Sequence, residues 1–264
     1  MSVTTDAEEQ WWAQIRWMDE SLASSPEDAQ LHHRRARLYQ RLGNVQWGAG
    51  KDPADAYRCS IEAANASLTL NPTNPFTLQV LGDSLSCFGE QQADQDEDPS
   101  ASYMSAVKAY DRGVALRPKD GGLWNGRCIA LRLLGEWLSN HRADPTEALT
   151  RAIESGDAAV GLDPDIRGHY SLARANLAMA IWMVRRGKDP DVWFRRAIRF
   201  TDVLRSRSRT LNGAEAGWLS MRQYHFLKQW WRSLGVLREE LRAHCDRPEF
   251  RAIADRIDRL AARH

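Results

Sequence analysis

The amino-acid sequence predicts an all-α solenoid, that is, a stack of similar helix pairs. Two observations lead to this prediction. Three short sequence markers recur every 46 residues, and the apolar residues between the markers follow a helical spacing. No stretch has the alternating pattern that predicts a strand. Because one helix pair cannot bury its apolar face alone, repeated pairs are expected to stack in layers.

Each marker is a short motif that returns in the same register. The first marker is a leucine two residues before a proline, the second is an Asp-Pro pair, and the third is a large apolar residue followed by glycine. The first occurs as Leu70-Asn71-Pro72, Leu116-Arg117-Pro118 and Leu162-Asp163-Pro164. The second occurs as Asp52-Pro53, Asp98-Pro99, Asp144-Pro145 and Asp189-Pro190, the last at a step of 45. The third occurs as Leu42-Gly43, Phe88-Gly89 and Leu134-Gly135.

The markers have a direct physical interpretation as helix boundaries. In an Asp-Pro pair the aspartate side chain is expected to cap the helix and the proline to occupy its first position, where no N–H is needed. The helix is expected to end before Pro118, because the residue preceding a proline avoids the α region. A new helix then begins at Asn74-Pro75 and its equivalents.

These boundaries divide the chain into one solenoid with capped ends. Thr5-Asp6-Ala7-Glu8 reads as a capping box that opens an N-terminal capping helix. Asn212–Leu234 is predicted as one more helix, followed by two short closing helices, Val236–Cys245 and Pro248–Arg263. The predicted units are the N-terminal cap 1–25, the repeats 26–72, 73–118, 119–164 and 165–208, and a degenerate repeat with the C-terminal cap at 209–264.

The repeats resemble the tetratricopeptide repeat (TPR) superfamily. The resemblance rests on the helix A signature positions Leu78, Leu81, Gly82, Leu85 and Gly89, and on the helix B positions Ala106, Tyr110 and Pro118. The long Asp-Pro form is similar to the repeat arrays of large bacterial signalling proteins. The resemblance implies a right-handed solenoid in which the first helix of each pair, helix A, lines a concave groove that holds a peptide or helix of another protein.

Counting along the A helices gives the residues that this groove is expected to expose. They are His33, Arg37, Gln40, Arg41, Gln79, Asp83, Ser86, Asn125, Arg132, Ser171, Ala175 and Met179, with Gln223 in a fifth repeat. Arginines, amides and small residues suit a peptide or a helix. Asp83, Gly122 and Gly126 stand where the carboxylate clamp of chaperone-binding members needs asparagine and cations, so capture of a chaperone C-terminus is not predicted.

The charge distribution supports an alternative function. Residues 1–165 hold 15 Lys+Arg and 25 Asp+Glu, whereas residues 166–264 hold 21 and 10. A basic patch is predicted at Arg195, Arg196, Arg199, Arg205, Arg207 and Arg209. It would meet an acidic partner, phosphates or the acidic end of another copy. Nucleic acid is the less favoured ligand because no RNA-reading module accompanies the patch.

Aromatic residues give a further expectation about exposure. Most of the 11 tryptophans fall at helical spacing, where large aromatic side chains usually fill the core. Trp47 lies in a connector, and the adjacent rings of Trp230 and Trp231 cannot point the same way. These three residues are therefore the candidates for exposed anchors of a partner.

The sequence contains no recognisable catalytic, metal or cofactor site. The segment from Gly43 to Lys51 has the wrong spacing for a phosphate loop, and Asp94–Asp98 lacks the turn glycine of a calcium loop. The longest apolar stretch, Leu177–Val184, is 8 residues long, and a bilayer span needs about 20. Four scattered cysteines and an acidic N-terminus lead us to expect a cytoplasmic protein without a signal peptide.

Three functions remain open from the sequence. The favoured one is a non-catalytic protein–protein interaction module, acting as scaffold or adaptor. The alternative is a polyanion or nucleic-acid binder that uses the basic C-terminal third. The third is an enzyme whose site follows no known motif. We expect no membrane partner and no cofactor.

Overall fold

The computed structural model describes residues 3–164, 166–208, 230–244 and 246–262. These residues are helical apart from short connectors. The helices are α1 (Val3–Ser24), α2 (Ala29–Gly48), α3 (Ala54–Leu70), α4 (Pro75–Asp94), α5 (Ser100–Leu116), α6 (Gly121–Asn140), α7 (Thr146–Leu162), α8 (Ile166–Arg185), α9 (Asp191–Ser208), α10 (residues 230–243) and α11 (Pro248–Ala261). The predicted all-α solenoid is confirmed.

The helices stack in the order of the chain. From α1 to α9 each helix packs against the next one, and α2, α4, α6 and α8 also pack against one another in a row. We call these four the A helices and α3, α5, α7 and α9 the B helices. The B helices touch one another far less than the A helices do. The row of A helices is therefore the inner, concave face of the stack.

A gap on the outer face illustrates this curvature. Between α3 and α5 there is an open space of about 390 Å³, and Leu85 and Phe88 of α4 form its floor. The guanidinium of Arg58 lies over the ring of Phe88. Splayed outer helices and closely packed inner helices together give a groove along the A helices.

Helix starts follow the repeat, with one correction to the predicted position of the proline. The side chains of Asp28, Asn74 and Asp120 accept hydrogen bonds from backbone N–H groups in the first turns of α2, α4 and α6. In the Asp-Pro pairs the proline occupies the N-cap and the helix starts one residue later. The aspartate still caps the helix, because Asp52 accepts from the N–H of Ala54 at 3.0 Å.

The connector from each A helix to its B helix turns in the same way. A residue with positive φ recurs at the same place in every repeat: Gly50, Asp96, Arg142 and Gly187. The next residue donates its N–H back to a carbonyl near the helix end, as Lys51 does to Gln46. This is the hydrogen bond of a Schellman cap. Gly50 and the acidic loop around Asp96 therefore have a structural role as helix C-terminal turns.

The third marker has a packing role within each pair. A Cβ atom added to Gly89 would lie 2.5 Å from the ring of Tyr103, so the helices approach at a distance that only glycine allows. The same contact recurs one repeat on either side, and the pairs are Gly43 with Tyr57, Gly89 with Tyr103 and Gly135 with Leu149. These large side chains are all buried at this contact. It holds the A and B helices at the same distance in successive repeats.

Both ends differ from the prediction in detail. α1 is already helical at Val3, so the predicted capping box at Thr5 lies inside the helix. It packs on α2 through Ile15 and Met18. Residues 230–243 form one continuous helix, so the predicted break at Leu234 is wrong. The start of the predicted helix at Asn212 and the groove position Gln223 lie outside the described residues.

A large cluster of buried side chains closes the C-terminal end. α10 contributes Trp230, Leu234, Leu237 and Leu241, and these residues pack with apolar residues of α8, α9 and α11. Trp230 is fully buried, so the prediction that it is an exposed anchor is wrong. Among the described residues, the exposed tryptophans are instead Trp12 and Trp17 of α1, with exposed fractions of 41% and 57%.

We expect the Gly89→Ala substitution to lower the free energy of unfolding by about 1–3 kcal/mol, because the added methyl group collides with the buried ring of Tyr103. Urea unfolding followed by circular dichroism measures the change. Gly161→Ala in α7 is the matched control, because nothing lies within 4 Å of its added Cβ. The control is expected to leave stability unchanged or slightly raised. Equal stability of Gly89→Ala and wild type would contradict this packing role.

Candidate partner-binding groove

Five of the predicted groove residues line one pocket on the inner face. It lies between α2 and α4, has a volume of about 440 Å³, and is lined by His33, Arg37, Gln40, Phe76, Gln79, Val80 and Asp83. The A helices bring these residues together because their spacing of three, four and seven positions places them on one helix face. We call this the α2–α4 pocket.

The α2 wall of this pocket is basic. Arg37 is exposed, and Arg41, one turn further on, is also exposed and lies over the ring of Trp11. His33 is buried rather than exposed as predicted, because its Nδ1 hydrogen-bonds with the hydroxyl of Thr77 at 3.0 Å. Burial, followed by the charges of Arg37 and Arg34, lowers the pKa of His33.

The α4 wall carries one carboxylate that has its own partners. Tyr110 of α5 donates its hydroxyl to Asp83, and the side chain of Gln40 hydrogen-bonds with the same carboxylate. Burial raises the pKa of Asp83, although these hydrogen bonds oppose the shift. The ring of Tyr110 reaches this position because it lies against Gly82 and Gly126, which have no side chains.

An ion cluster forms the groove floor further along. Arg132 donates to Glu136 at 2.6 Å, and Arg174 of α8 donates to the other carboxylate oxygen at 3.2 Å. Burial is the largest influence on Glu136, but the charges of Arg132 and Arg174 outweigh it and lower its pKa. Burial raises the pKa of nearby Glu90. Arg132 is buried in this cluster, so the predicted exposure of Arg132 is wrong.

Other predicted positions are also covered. Ser86 is buried, and its hydroxyl has no hydrogen-bond partner among the described residues. Asn125 is partly exposed and its side-chain oxygen likewise lacks a partner in the part of the chain that is described. Ser171, Ala175 and Met179 of α8 are buried, contrary to expectation. Ala175 and Met179 do not form a polar groove face here. They pack with apolar residues of α6 and α7.

A second pocket lies on the inner side of α8. It has a volume of about 170 Å³ and is lined by Glu136, Ser139, Asn140, Arg174, Leu177, Ala178, Ile181, Arg185, Ser233 and Val236. We call it the α6–α8–α10 pocket. Leu177, Ala178 and Ile181 provide an aliphatic floor, and Val236 of α10 stands opposite. Arg185 at its rim forms an ion pair with Glu240 at 2.8 Å.

The predicted basic patch is partly neutralised within the chain. Arg195 forms an ion pair with Asp191, and Arg196 with Asp157, whereas Arg199 is exposed. Other arginines of the C-terminal third are paired too, namely Arg185, Arg238 and Arg242. The side chains of Arg205 and Arg207, and all of Arg209, lie outside the described residues.

Sequence reasoning missed several residues of the groove. Glu136 stands four residues after Arg132, a spacing that predicts a helical ion pair, so this signal was available. Phe76, which is exposed beside the α2–α4 pocket, follows the Asn74-Pro75 helix start. Arg174 and Val236 belong to other helices, and their approach to the groove depends on how the helices stack.

The described residues contain no group of three His, Cys, Asp or Glu side chains placed to hold a metal ion. Burial is the largest influence raising the pKa of Cys128 to about 12, so its thiol is not a reactive thiolate. Over the same described part of the chain, no helix combines the length and apolar character needed to cross a bilayer.

Solved structures with a similar arrangement of helices include MamA and a bacterial TPR protein. The "Crystal structure of MamA protein" has 15% sequence identity and a TM-score of 0.47, covering 79% of this chain and 92% of that chain. TTC0263, a thermophilic TPR protein of Thermus thermophilus, has 17% identity and a TM-score of 0.46, covering 76% and 94%. No family model matches this chain, and no curated protein is significantly similar to it. Likenesses this distant carry no functional argument.

We expect Glu136→Gln to lower the free energy of unfolding by about 3 kcal/mol near neutral pH, because buried Arg132 loses its charged partner. Since the pKa of Glu136 is lowered in the folded state, its contribution is present above the pKa of an unfolded glutamate. It is lost as the pH falls through the lowered value. The difference between the variant and wild type should therefore shrink in acid, as measured by denaturant unfolding at several pH values.

Glu147→Gln is the matched control for this prediction. Glu147 also pairs with an arginine four residues away, Arg151, but its side chain is 88% exposed. Exposed pairs contribute about 0–1 kcal/mol. A loss of stability in the control equal to that of Glu136→Gln would contradict the role assigned to the cluster.

Proposed function

We propose that this chain is a non-catalytic protein–protein interaction module that holds a peptide or a helix of a partner in the groove of its A helices. The observation that carries the proposal is the α2–α4 pocket. Five residues predicted to bind a partner line this one pocket, and they include an exposed cation, two amides and a carboxylate. Interfaces commonly depend on a few such residues in a pocket.

The chemistry of the groove supports binding rather than catalysis. Asp83 is already hydrogen-bonded by Tyr110 and Gln40, and His33 by Thr77. The Thr77 hydroxyl beside His33 is fully buried and within hydrogen-bond distance of the Ser67 hydroxyl. Burial raises the pKa of the Cys87 thiol, which lies one turn from Asp83. Arg37, Gln40 and Gln79 present donors and acceptors without an activated group, which suits recognition of polar peptide groups.

The cellular setting that we propose is a scaffold or adaptor in the cytoplasm. The thiols of Cys59, Cys87 and Cys128 are free, which fits a reducing compartment. A place in bacterial signalling rests on the sequence resemblance to repeat arrays of such proteins. Self-association through the acidic and basic parts of the chain belongs to the same proposal.

Polyanion binding by the C-terminal third is the weaker candidate. Several arginines there are paired within the chain, which reduces the charge available to phosphates. A salt titration separates the two functions. Binding to phosphates weakens steeply as salt rises, whereas a peptide held by hydrogen bonds and apolar contacts is less sensitive.

We expect the double variant Arg37→Glu with Gln79→Ala to lose the partner that wild type captures from native lysate, because both substitutions change the α2–α4 pocket. Quantitative mass spectrometry of the captured proteins measures the loss. Lys108→Glu, on the exposed surface of α5, is the matched charge-reversal control and should retain the partner. Thermal unfolding checks that each variant is folded.

Two results would contradict the proposal. If the double variant is folded and captures the same partners as wild type, the groove does not bind them. If Arg199→Glu removes the partners and the double variant does not, the basic C-terminal third is the binding surface.

A further inference from the structure

Two pockets open on the same inner face, and their chemistry differs. The α2–α4 pocket is polar and has a cation at its edge, whereas the α6–α8–α10 pocket has an aliphatic floor. One extended ligand lying across the A helices would contact both. The side chains that suit each pocket therefore indicate what kind of segment the groove accepts.

The α2–α4 pocket favours a carboxylate at its α2 edge, where Arg37 lines it, because Asp83 on the α4 wall is already hydrogen-bonded by Tyr110 and Gln40. Arg34, Arg37 and Arg41 are exposed on one face of α2 at spacings of three and four residues. Neither Arg34 nor Arg37 has an ion pair within the described part of the chain. Gln79 adds an amide donor beside them. This local positive charge stands out because residues 1–165 are acidic as a whole, with 15 Lys+Arg against 25 Asp+Glu.

The α6–α8–α10 pocket favours an aliphatic side chain. Its floor is formed by Leu177, Ala178 and Ile181, and Val236 faces them with 45% of its surface exposed. The two arginines at the rim already have ion-pair partners: Arg174 shares Glu136 with Arg132, and Arg185 pairs with Glu240. A volume of about 170 Å³ leaves room for one branched side chain.

The geometry of the stack gives the separation between the pockets. Packed helices lie about 8–10 Å apart, and the pockets are two such spacings apart across the groove. When residues at equivalent positions of the repeats are compared, the α6–α8–α10 pocket lies about seven residues further along the helix axis than the α2–α4 pocket, or roughly 10 Å. The direct separation is therefore about 20 Å, which an extended chain spans in about six or seven residues.

We infer that the partner presents an extended peptide segment with one acidic side chain in the α2–α4 pocket and one aliphatic side chain in the α6–α8–α10 pocket, about six or seven residues apart. The inference rests on the proposed function and names the chemistry of its ligand. A run of acidic residues is disfavoured, because Asp83 lines the α2–α4 pocket, and Glu136, with Glu90 in the same ion cluster, lines the α6–α8–α10 pocket.

A selection with the full chain tests this inference. Displayed random peptides of twelve residues are selected on wild type, and the enriched sequences are synthesised for fluorescence anisotropy. We expect one Asp or Glu at a fixed distance from one Leu, Ile or Val. Replacing the acid by its amide, or moving the aliphatic residue three positions, should weaken binding at least tenfold.

Protein variants assign each end of the peptide. Arg37→Glu should weaken binding at least tenfold, and the loss should disappear for peptides that lack the acid. Val236→Asp should likewise weaken binding at least tenfold, and this loss should disappear for peptides that lack the aliphatic residue. Lys108→Glu and Val192→Asp are the matched controls, because both residues are exposed and line neither pocket. Both controls should bind like wild type.

The outcomes separate this inference from the proposed function. Selected peptides that are sensitive to Arg37→Glu but have no fixed acidic and aliphatic pair would overturn the inference and leave the groove as the binding site. Peptides that are insensitive to both pocket variants would overturn both. Failure to enrich any peptide would also count against both.

Discussion

The close approach of the A and B helices in the first three pairs, α2–α3, α4–α5 and α6–α7, is the constraint on which the rest of the structure depends. It occurs where a glycine of the A helix meets a buried tyrosine or leucine of the B helix, as in Gly89 with Tyr103. Because this contact returns every 46 residues, successive pairs have similar geometry. Their A helices then come together in a row and form a continuous inner face.

This row of A helices determines the chemistry of the groove. Tyr110 can donate to Asp83 only because Gly82 and Gly126 leave space for its ring. The ion cluster around Glu136 joins α6 to α8 in the same way that apolar contacts join other layers. The groove is therefore polar at α2 and α4, formed by ion pairs in the middle, and aliphatic where α8 meets α10. A partner that binds along it would experience these surfaces in that order.

The sequence predicted the periodic parts of the structure well. Prolines, capping residues and helical apolar spacing are local signals, and each predicts the same feature in every repeat. Which residues of α8 are exposed to the groove could not be predicted from such local signals. Its residues Ser171, Ala175 and Met179 stand at groove positions by count, yet they are buried because the surrounding side chains are apolar and pack on α6 and α7.

Burial of polar groups was the other feature that sequence counting missed. Arg132 and His33 occupy positions expected to be exposed, and each is covered because it has a partner, Glu136 for Arg132 and Thr77 for His33. The α6–α8–α10 pocket depends on Val236, which is far from α6 in sequence and carries no motif. Such long-range contacts follow from the stacking of helices and not from the local pattern.

Hydrogen–deuterium exchange of the full chain with and without its captured partner tests the central claim most directly, because amide protection locates the binding surface along the chain. The A helices α2, α4 and α6 are predicted to gain protection on binding, while the outer helices α3 and α5 remain unchanged. Protection confined to the outer helices, or to the basic helix α9, would contradict a partner-binding groove on the inner face.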